Sequence, residues 1–434
     1  MTEQTAPASR TPLAELAPEQ LEAFAQEQRT AYAALQAGGL KLDLTRGKPA
    51  PAQLDLSEGM LALPSGHVDA AGTDVRNYGG LQGIAEIREI FGELLGVAPA
   101  QLVAGGNSSL TLMHDTLVHL LLHGGVTSPR PWAQEETVRF VCPVPGYDRH
   151  FALLASYGIE MVTVPMREDG PDVEAVAALV ADDPTVKGMW LVPTYANPTG
   201  ATTTQEVAAR LASMPAAAPD FTIFWDNAYA LHHLTDDEAK SADILGLCSA
   251  SGHPHRAILF ASTSKVSFAG AGVAFLAGSP EVVQWYLGHL SKASIGPDKV
   301  NHLRHAQFFG SASGVRDHMA RHRELIAPKF AEVERVLTSR LGGLGVATWT
   351  RPSGGYFVSL DVLDGTASRV VELAKAAGVA LTPAGASFPH GQDPRDRNIR
   401  LAPTFPVVEE VTVAMEAVAT CVLLAAAEHL THAR

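Results

Sequence analysis

Ile258-Leu259-Phe260-Ala261-Ser262-Thr263-Ser264-Lys265 is an apolar run that breaks into hydroxyls and then a lysine. Bounded by polar residues and too short for a helix, the run Ile258–Phe260 reads as a buried strand. The pattern recurs upstream. Val138–Cys142, Met161–Val164, Met189–Val192 and Phe221–Trp225 are similar runs closed by Pro, Gly or polar residues. Helical patterns, among them Gly83–Leu95 and Leu110–Leu122, lie before and between them. Short buried strands alternating with helices predict a parallel, doubly wound α/β sheet. Ligands of such sheets bind beyond the carboxyl ends of the strands, so the residues just after each run are the ones to question.

Outward from this centre the pattern changes. Residues 1–15 read as a loose tail, Pro18 to about Ala37 as a helix, and Lys41–Pro51 as an extended arm punctuated by Gly47, Pro49 and Pro51. After about Asp298 the chain turns helical (Val300–Leu341), then shows β-like pieces at Val346–Trp349, Gly354–Leu360 and Ile399–Leu401. This predicts a second, smaller α+β domain. We expect residues 1–75 to supply an arm and part of the small domain, 76–315 the large domain, and 316–434 the rest of the small one.

Composition narrows the function classes. The chain has 434 residues, 46% apolar and 18% charged, enough to bury more than one core. A formal net charge of −14 argues against nucleic-acid or anionic-membrane partners. Only three cysteines occur, Cys142, Cys248 and Cys421, with no CxxC spacing, so neither a disulfide framework nor a metal site is expected and a reducing cytoplasm is the simplest location. Residues 1–10 lack the pattern of a signal peptide. The most apolar stretches, Leu117–Leu122 and Val418–Ala427, read as too short to span a membrane.

Three strand ends carry chemistry. After the first quoted run stands Lys265; burial lowers an amine's pKa and makes it a competent nucleophile toward an aldehyde, and Ser262 and Ser264 beside it suit a phosphate. After Phe221–Trp225 stand Asp226 and Tyr229; an aspartate there can pair with a protonated ring nitrogen, and a tyrosine can donate to a phenolate oxygen. After Met189–Pro193 stands Asn197-Pro198-Thr199-Gly200, whose amide can meet the same ring oxygen. Each has a plainer explanation alone: a surface lysine in a polar loop, a helix-capping aspartate, a turn. Together they form an ordered set, with Asn197 29 residues before Asp226 and Asp226 39 before Lys265. Each interval fits one strand–helix unit, so all three can meet at one sheet edge.

In this order the N-P-x-G, D-x-x-Y and S-x-S-K motifs resemble the fold-type I aminotransferases dependent on pyridoxal phosphate (PLP), over about residues 40–405. The resemblance implies a large PLP-binding domain with a mostly parallel sheet of the seven-stranded type and a homodimer with shared active sites. Residue by residue, it implies that Gly105-Gly106-Asn107-Ser108-Ser109 and the following helix hold the phosphate, with Asn107, Ser108 and Ser109 as contacts. Tyr147, in Pro145-Gly146-Tyr147, would stack on the ring, with His150 supporting Asp226. Tyr78, in Asn77-Tyr78-Gly79-Gly80, would reach the neighbouring subunit's phosphate. Arg400, in Asn398-Ile399-Arg400-Leu401, would grip the substrate α-carboxylate through its planar fork, with Gly47 alongside. One departure stands out: Val273 occupies a position where many members have a phosphate-binding arginine. That feature and Leu44-Thr45-Arg46-Gly47-Lys48-Pro49 resemble the aspartate aminotransferase subgroup Ic.

The implied reaction moves an amino group between an L-amino acid, best read as aspartate, and a 2-oxo acid, best read as 2-oxoglutarate. Lys265 would carry the cofactor and, once displaced, act as the base at substrate Cα. Arg46, Lys48, Arg149, Lys299 and Arg304 are candidates for a second carboxylate-binding cation. A β-lyase would use the same residues. A PLP-sensing regulator would need a basic DNA-binding module that the acidic residues 1–40 do not offer.

Overall fold

The computed structural model describes residues 10–45 and 47–433. Its strands are β1 (Leu42–Asp43), β2 (Leu102–Ala104), β3 (Arg139–Val144), β4 (Glu160–Arg167), β5 (Gly170–Pro171), β6 (Val186–Leu191), β7 (Thr222–Asp226), β8 (Ala257–Ser262), β9 (Ala274–Ala277), β10 (Ala347–Trp349), β11 (Val358–Val362), β12 (Val379–Ala380) and β13 (Asn398–Leu401). Its α-helices are α1 (Pro18–Ala37), α2 (Pro51–Asp55), α3 (Ala85–Leu95), α4 (Ser109–His123), α5 (Asp148–Ser156), α6 (Val173–Asp182), α7 (Gln205–Ser213), α8 (Ile244–Ala250), α9 (Pro280–Ala293), α10 (Lys299–Phe309), α11 (Ala312–Leu341), α12 (Ala367–Ala376) and α13 (Val408–His432).

The central sheet runs β2-β9-β8-β7-β6-β3-β4-β5. Strands β4, β3, β6, β7 and β8 are mutually parallel, as the alternating pattern predicts. Strand β9 is antiparallel to both β8 and β2, and the two-residue β5 is an antiparallel rim on β4; without it the sheet has the seven strands expected. Strands β2 and β9 escape a sequence reading because they are three and four residues long, and β9 is Ala-Phe-Leu-Ala with no β-branched side chain. The chain goes outward from β3 to β4, then crosses back to β6 on the other side of β3. This reversal is the switch point beside which doubly wound sheets bind ligands.

Alternation along the strands sorts the sheet's two faces. Trp190, Phe224 and Phe260 pack on the side of α4, α5 and α9. Their neighbours Leu191, Trp225 and Leu259 pack on the side of α3, α7 and α8. Asp226, two residues after Phe224, therefore falls on the α5 face, and α5 is where its partner sits.

The second core gathers α11, α12 and α13 against the antiparallel sheet β10-β11-β13. Strand β1 pairs with β12, and α1 lies along α13, with Leu21 and Ala25 buried against Ala427. The helical stretch expected at Val300–Leu341 is two helices, because Gly310 takes a left-handed φ of 69° and Ser311 caps α11 by accepting from the Gly314 N–H at 3.1 Å. The apolar stretch Val418–Ala427 is also longer than it reads. It is part of the 25-residue α13, which by length and composition alone would reach across a membrane. In the fold 78% of its apolar window is buried in protein, as in a core helix.

Candidate active site

The carboxyl ends of β6, β7 and β8 lie side by side and present the three motifs together. Asp226 is the last residue of β7, paired with Phe260 of β8. It is 2% exposed, and His150 Nε2 donates to its Oδ2 at 3.0 Å. The His150 ring is fixed by stacking on Trp190, 4.3 Å between centroids and 11° between planes. Asp226 Oδ1 has no hydrogen-bond partner although it is buried. An orphaned carboxylate oxygen is costly, so it marks a place where a donor is meant to arrive.

Lys265 sits half-buried in the short polar turn after β8. Its Nζ lies 4.8 Å from the centroid of the Tyr229 ring. Burial lowers its pKa, opposed by the Asp226 charge. The balance favours a neutral, nucleophilic amine more than in a free lysine. The main chain here is pinned from behind: His232 Nε2 donates to the Lys265 carbonyl at 3.3 Å and His318 Nε2 to that of Val266 at 2.8 Å. Burial, then the nearby Lys265 charge, pushes the pKa of His232 down to about 3, so it is a neutral donor at physiological pH. Behind them Gln53 Nε2 bridges His322 Nδ1 (3.2 Å) and Tyr356 Oη (2.9 Å), tying the early segment to the lysine loop.

Two aromatic rings enclose the space. Tyr229 is buried, with its pKa raised well above 10 by desolvation first and then by Tyr147 and Asp226. Tyr147, half-buried and edge-on to His150, is pushed up to about 12 by burial and by the Asp226 and Asp148 charges. Both are phenols, hence donors, at neutral pH.

The hydroxyl cluster forms at the N-terminus of α4. Ser108 Oγ caps the helix, accepting from the Thr111 N–H at 3.2 Å. Ser109 opens the helix, Asn107 Nδ2 donates to the Gly270 carbonyl at 3.1 Å, and Ser264 Oγ donates to the Asn107 carbonyl at 3.3 Å and receives Ser262 Oγ at 3.0 Å. Free helix-end N–H groups ringed by hydroxyls suit an anion. Val273 contributes no charge; it is a buried residue whose N–H donates to Thr263 Oγ1 at 2.9 Å.

The second core supplies Arg400 from β13. Its Nη1 reaches Asp148 Oδ1 at 2.9 Å and Asn197 Oδ1 at 3.5 Å, and its guanidinium carbon lies 5.1 Å from the Phe357 centroid. The tip of the same Phe357 ring meets Gly47, where a Cβ would collide with it. Gly47 therefore allows Phe357 to lie beneath Arg400. Asp148 and Phe357 are not visible as site residues in the sequence; the only cue to Asp148 is its place beside Tyr147 at the start of α5.

Among the proposed side-chain cations, Lys299 is engaged by the carbonyls of Asn77 (2.7 Å) and Gly79 (2.6 Å), and Arg304 by that of Leu63 (2.9 Å). Arg149 is exposed, Lys48 Nζ lies 4.0 Å above the Phe405 ring, and Arg46 lies outside the described residues. Tyr78 stands apart from the rest of the set, 79% exposed on the segment that Lys299 anchors.

Comparison with known proteins gives a consistent picture. The family described as "Aspartate amino-transferase" matches residues 16–434. A Mycolicibacterium smegmatis aminotransferase is 60% identical, covering 93% of this chain and 95% of its own. An aspartate aminotransferase of Corynebacterium glutamicum is 55% identical over 95% of both chains. The crystal structure of an aspartate transaminase from Corynebacterium glutamicum superposes with a TM-score of 0.95 at 54% identity, covering 98% of this chain and all of that one.

Proposed function

The chain belongs to the aspartate aminotransferase family, and from that premise we propose that it transfers the amino group of L-aspartate to 2-oxoglutarate with PLP bound at Lys265. The observation that carries the cofactor assignment is the buried, unpartnered Oδ1 of Asp226. A pyridinium N–H is a donor of the right charge for it, and His150 keeps the carboxylate aimed. The rest of the donor set fits the same molecule: an amine for an aldehyde, a helix N-terminus with Asn107, Ser108, Ser109, Ser262 and Ser264 for a phosphate, and Tyr147 for a ring face.

Bound PLP supplies an aldehyde that takes the amino group and a ring that accepts electron density from Cα. The chain's own residues do the rest. Lys265 anchors the cofactor and, when free, moves the proton at Cα. Asp226 holds the positive charge on the ring, while Asn197 and Tyr229 donate to its oxygen. Arg400 takes the α-carboxylate, giving up its bond to Asp148 as substrate enters. Val273 leaves the phosphate to helix-end N–H groups and hydroxyls.

The reading extends to a homodimer, with residues 76–315 as its cofactor domain and residues 1–75 and 316–434 as the smaller one. Support comes from Tyr78, whose exposed ring stands beside Ile295, 62% exposed, on a segment locked by the Gly79 N–H to Ile295 carbonyl bond of 3.1 Å. A second copy would cover both. Three free, buried cysteines support a reducing cytoplasm.

Visible absorbance of the purified protein tests the central claim. We expect a yellow protein that bleaches with aspartate and regains colour with 2-oxoglutarate. A yellow protein indifferent to aspartate would retain PLP but overturn the substrate; a protein unable to take up PLP would overturn the cofactor assignment.

A further inference from the structure

Far along α4 from its phosphate-facing end, three imidazoles meet at the surface. His119 and His123 stand one turn apart on α4, so they share a helix face, and His289 projects from α9. One potential ligand nitrogen from each lies within 4.8 Å of the other two. The His289 ring lies nearly parallel to both others, 4.4 Å from His119 and 4.8 Å from His123. The two helices are locked beside the trio, because Trp285 Nε1 donates to the Gly124 carbonyl at the end of α4 at 2.9 Å.

His119 also meets Trp285 and Tyr286 edge-on, at 6.1 and 6.3 Å, and His289 meets Trp285 at 5.3 Å, contacts that use ring faces and edges and leave the ring nitrogens to a ligand. Among the described residues, ring faces are what join them to one another. Nearby charges are engaged elsewhere: Asp115 pairs with His114 Nδ1 at 2.9 Å, and Lys292 Nζ donates to the Gly288 carbonyl at 2.9 Å. Desolvation lowers the pKa of His119, and desolvation with the neighbouring His119 and His123 takes that of His289 to about 4. Neutral imidazole is the form that ligates a metal.

We propose that His119, His123 and His289 bind one Zn(II) ion that staples α4 to α9. Zinc takes imidazole nitrogens at about 2.0–2.1 Å in tetrahedral geometry, which places ligand nitrogens roughly 3.3 Å apart. Ring rotation of the exposed His123 and half-buried His119 and His289 closes the remaining distance. The fourth position faces solvent and takes water. Oxygen-seeking Mg(II) has no suitable ligand here, whereas Cu(II) would compete with zinc. Cysteine spacing carries no trace of such a site; its ligands come from helices 166 residues apart.

The test uses the chelator-treated, dialysed holoenzyme without amino acids, equilibrated with zinc chloride and, separately, magnesium chloride. We expect one equivalent of zinc bound tightly by the wild type, and a thermal midpoint that rises with zinc but not magnesium. Both effects should vanish in His123→Gln and in His289→Gln, while the cofactor absorbance of each variant stays unchanged. His123 is exposed, so its variant folds irrespective of the proposal. Equal zinc uptake by wild type and both variants would assign binding to other histidines and overturn the site, as would no uptake at all.

Discussion

The two sides of the active site differ in how far their bonds are already met. On the large-sheet side the groups are fixed but unanswered: Asp226 has a buried oxygen without a donor, and the Lys265 amine is held at lowered pKa with the Tyr229 ring as its neighbour. On the side of the second core Arg400 is partly answered: its Nη1 by Asp148 and Asn197 and its face by Phe357, while its Nε is buried without a partner. A group with an unmet bond gains when its ligand arrives; a group with a met bond exchanges partners. Cofactor binding should therefore be largely a gain, and substrate binding an exchange at Arg400 Nη1 with a gain at Nε.

The comparison can be broken at several points. The largest effect belongs to Lys265→Ala, which removes the proton-moving group; aspartate half-reaction rates followed by rapid mixing should fall by about 10⁴-fold, while cofactor is still taken up. A variant with unaltered turnover would remove Lys265 from the chemistry. Asp226→Asn keeps the shape but removes the charge that faces the ring. It should slow proton removal by about 10²–10³-fold and weaken cofactor binding, yet leave the melting temperature of the apoprotein level or higher, since a buried charge with an unmet oxygen is gone. A marked fall in apoprotein stability would show that Asp226 is instead a structural member.

Arg400→Ala should lower kcat/KM for aspartate by about 100-fold, from loss of charge-assisted bonds worth ~3 kcal/mol, with cofactor affinity nearly unmoved. Equal losses of both would make Arg400 a domain strut. The smallest effect is the most diagnostic. Asp148→Asn removes the internal carboxylate that competes with the substrate's. Because Asp148 is about a third exposed, the pair is worth no more than ~1 kcal/mol, so KM for aspartate should fall about two- to fivefold with kcat little changed. A rise in KM would mean that Asp148 orients Arg400 rather than competing for it.

How much of this was legible in the chain follows from how local each signal is. Lys265, Asp226 and Asn197 could be singled out because Asp226 ends a strand and the other two lie in turns soon after strands, and a parallel sheet collects such residues at one edge. Tyr147 lies likewise just past β3, whereas the Asn107–Ser109 cap follows the short β2 that the sequence does not signal, and only the family resemblance pointed to it. Asp148 was not, since its partner Arg400 is 252 residues away and an aspartate opening a helix already has a sufficient local explanation. The resemblance places Gly47 beside the substrate carboxylate; the ring it accommodates, Phe357, is a contact only the fold discloses. The candidate cations also sorted themselves only in three dimensions, where Lys299 and Arg304 prove to be bound by backbone carbonyls.

The contact between α1 and α13 has a temporal consequence. Leu21 and Ala25, near the start of the chain, are covered by Ala427, near its end. At about 5–20 residues per second, a ribosome needs roughly 20–80 s to make the intervening chain. Throughout that time the apolar stripe of α1 is without its cover, while the central sheet, complete by Ala277, can already assemble. The emerging polypeptide thus carries an assembled sheet and an α1 whose apolar stripe stays uncovered until α13 leaves the exit tunnel.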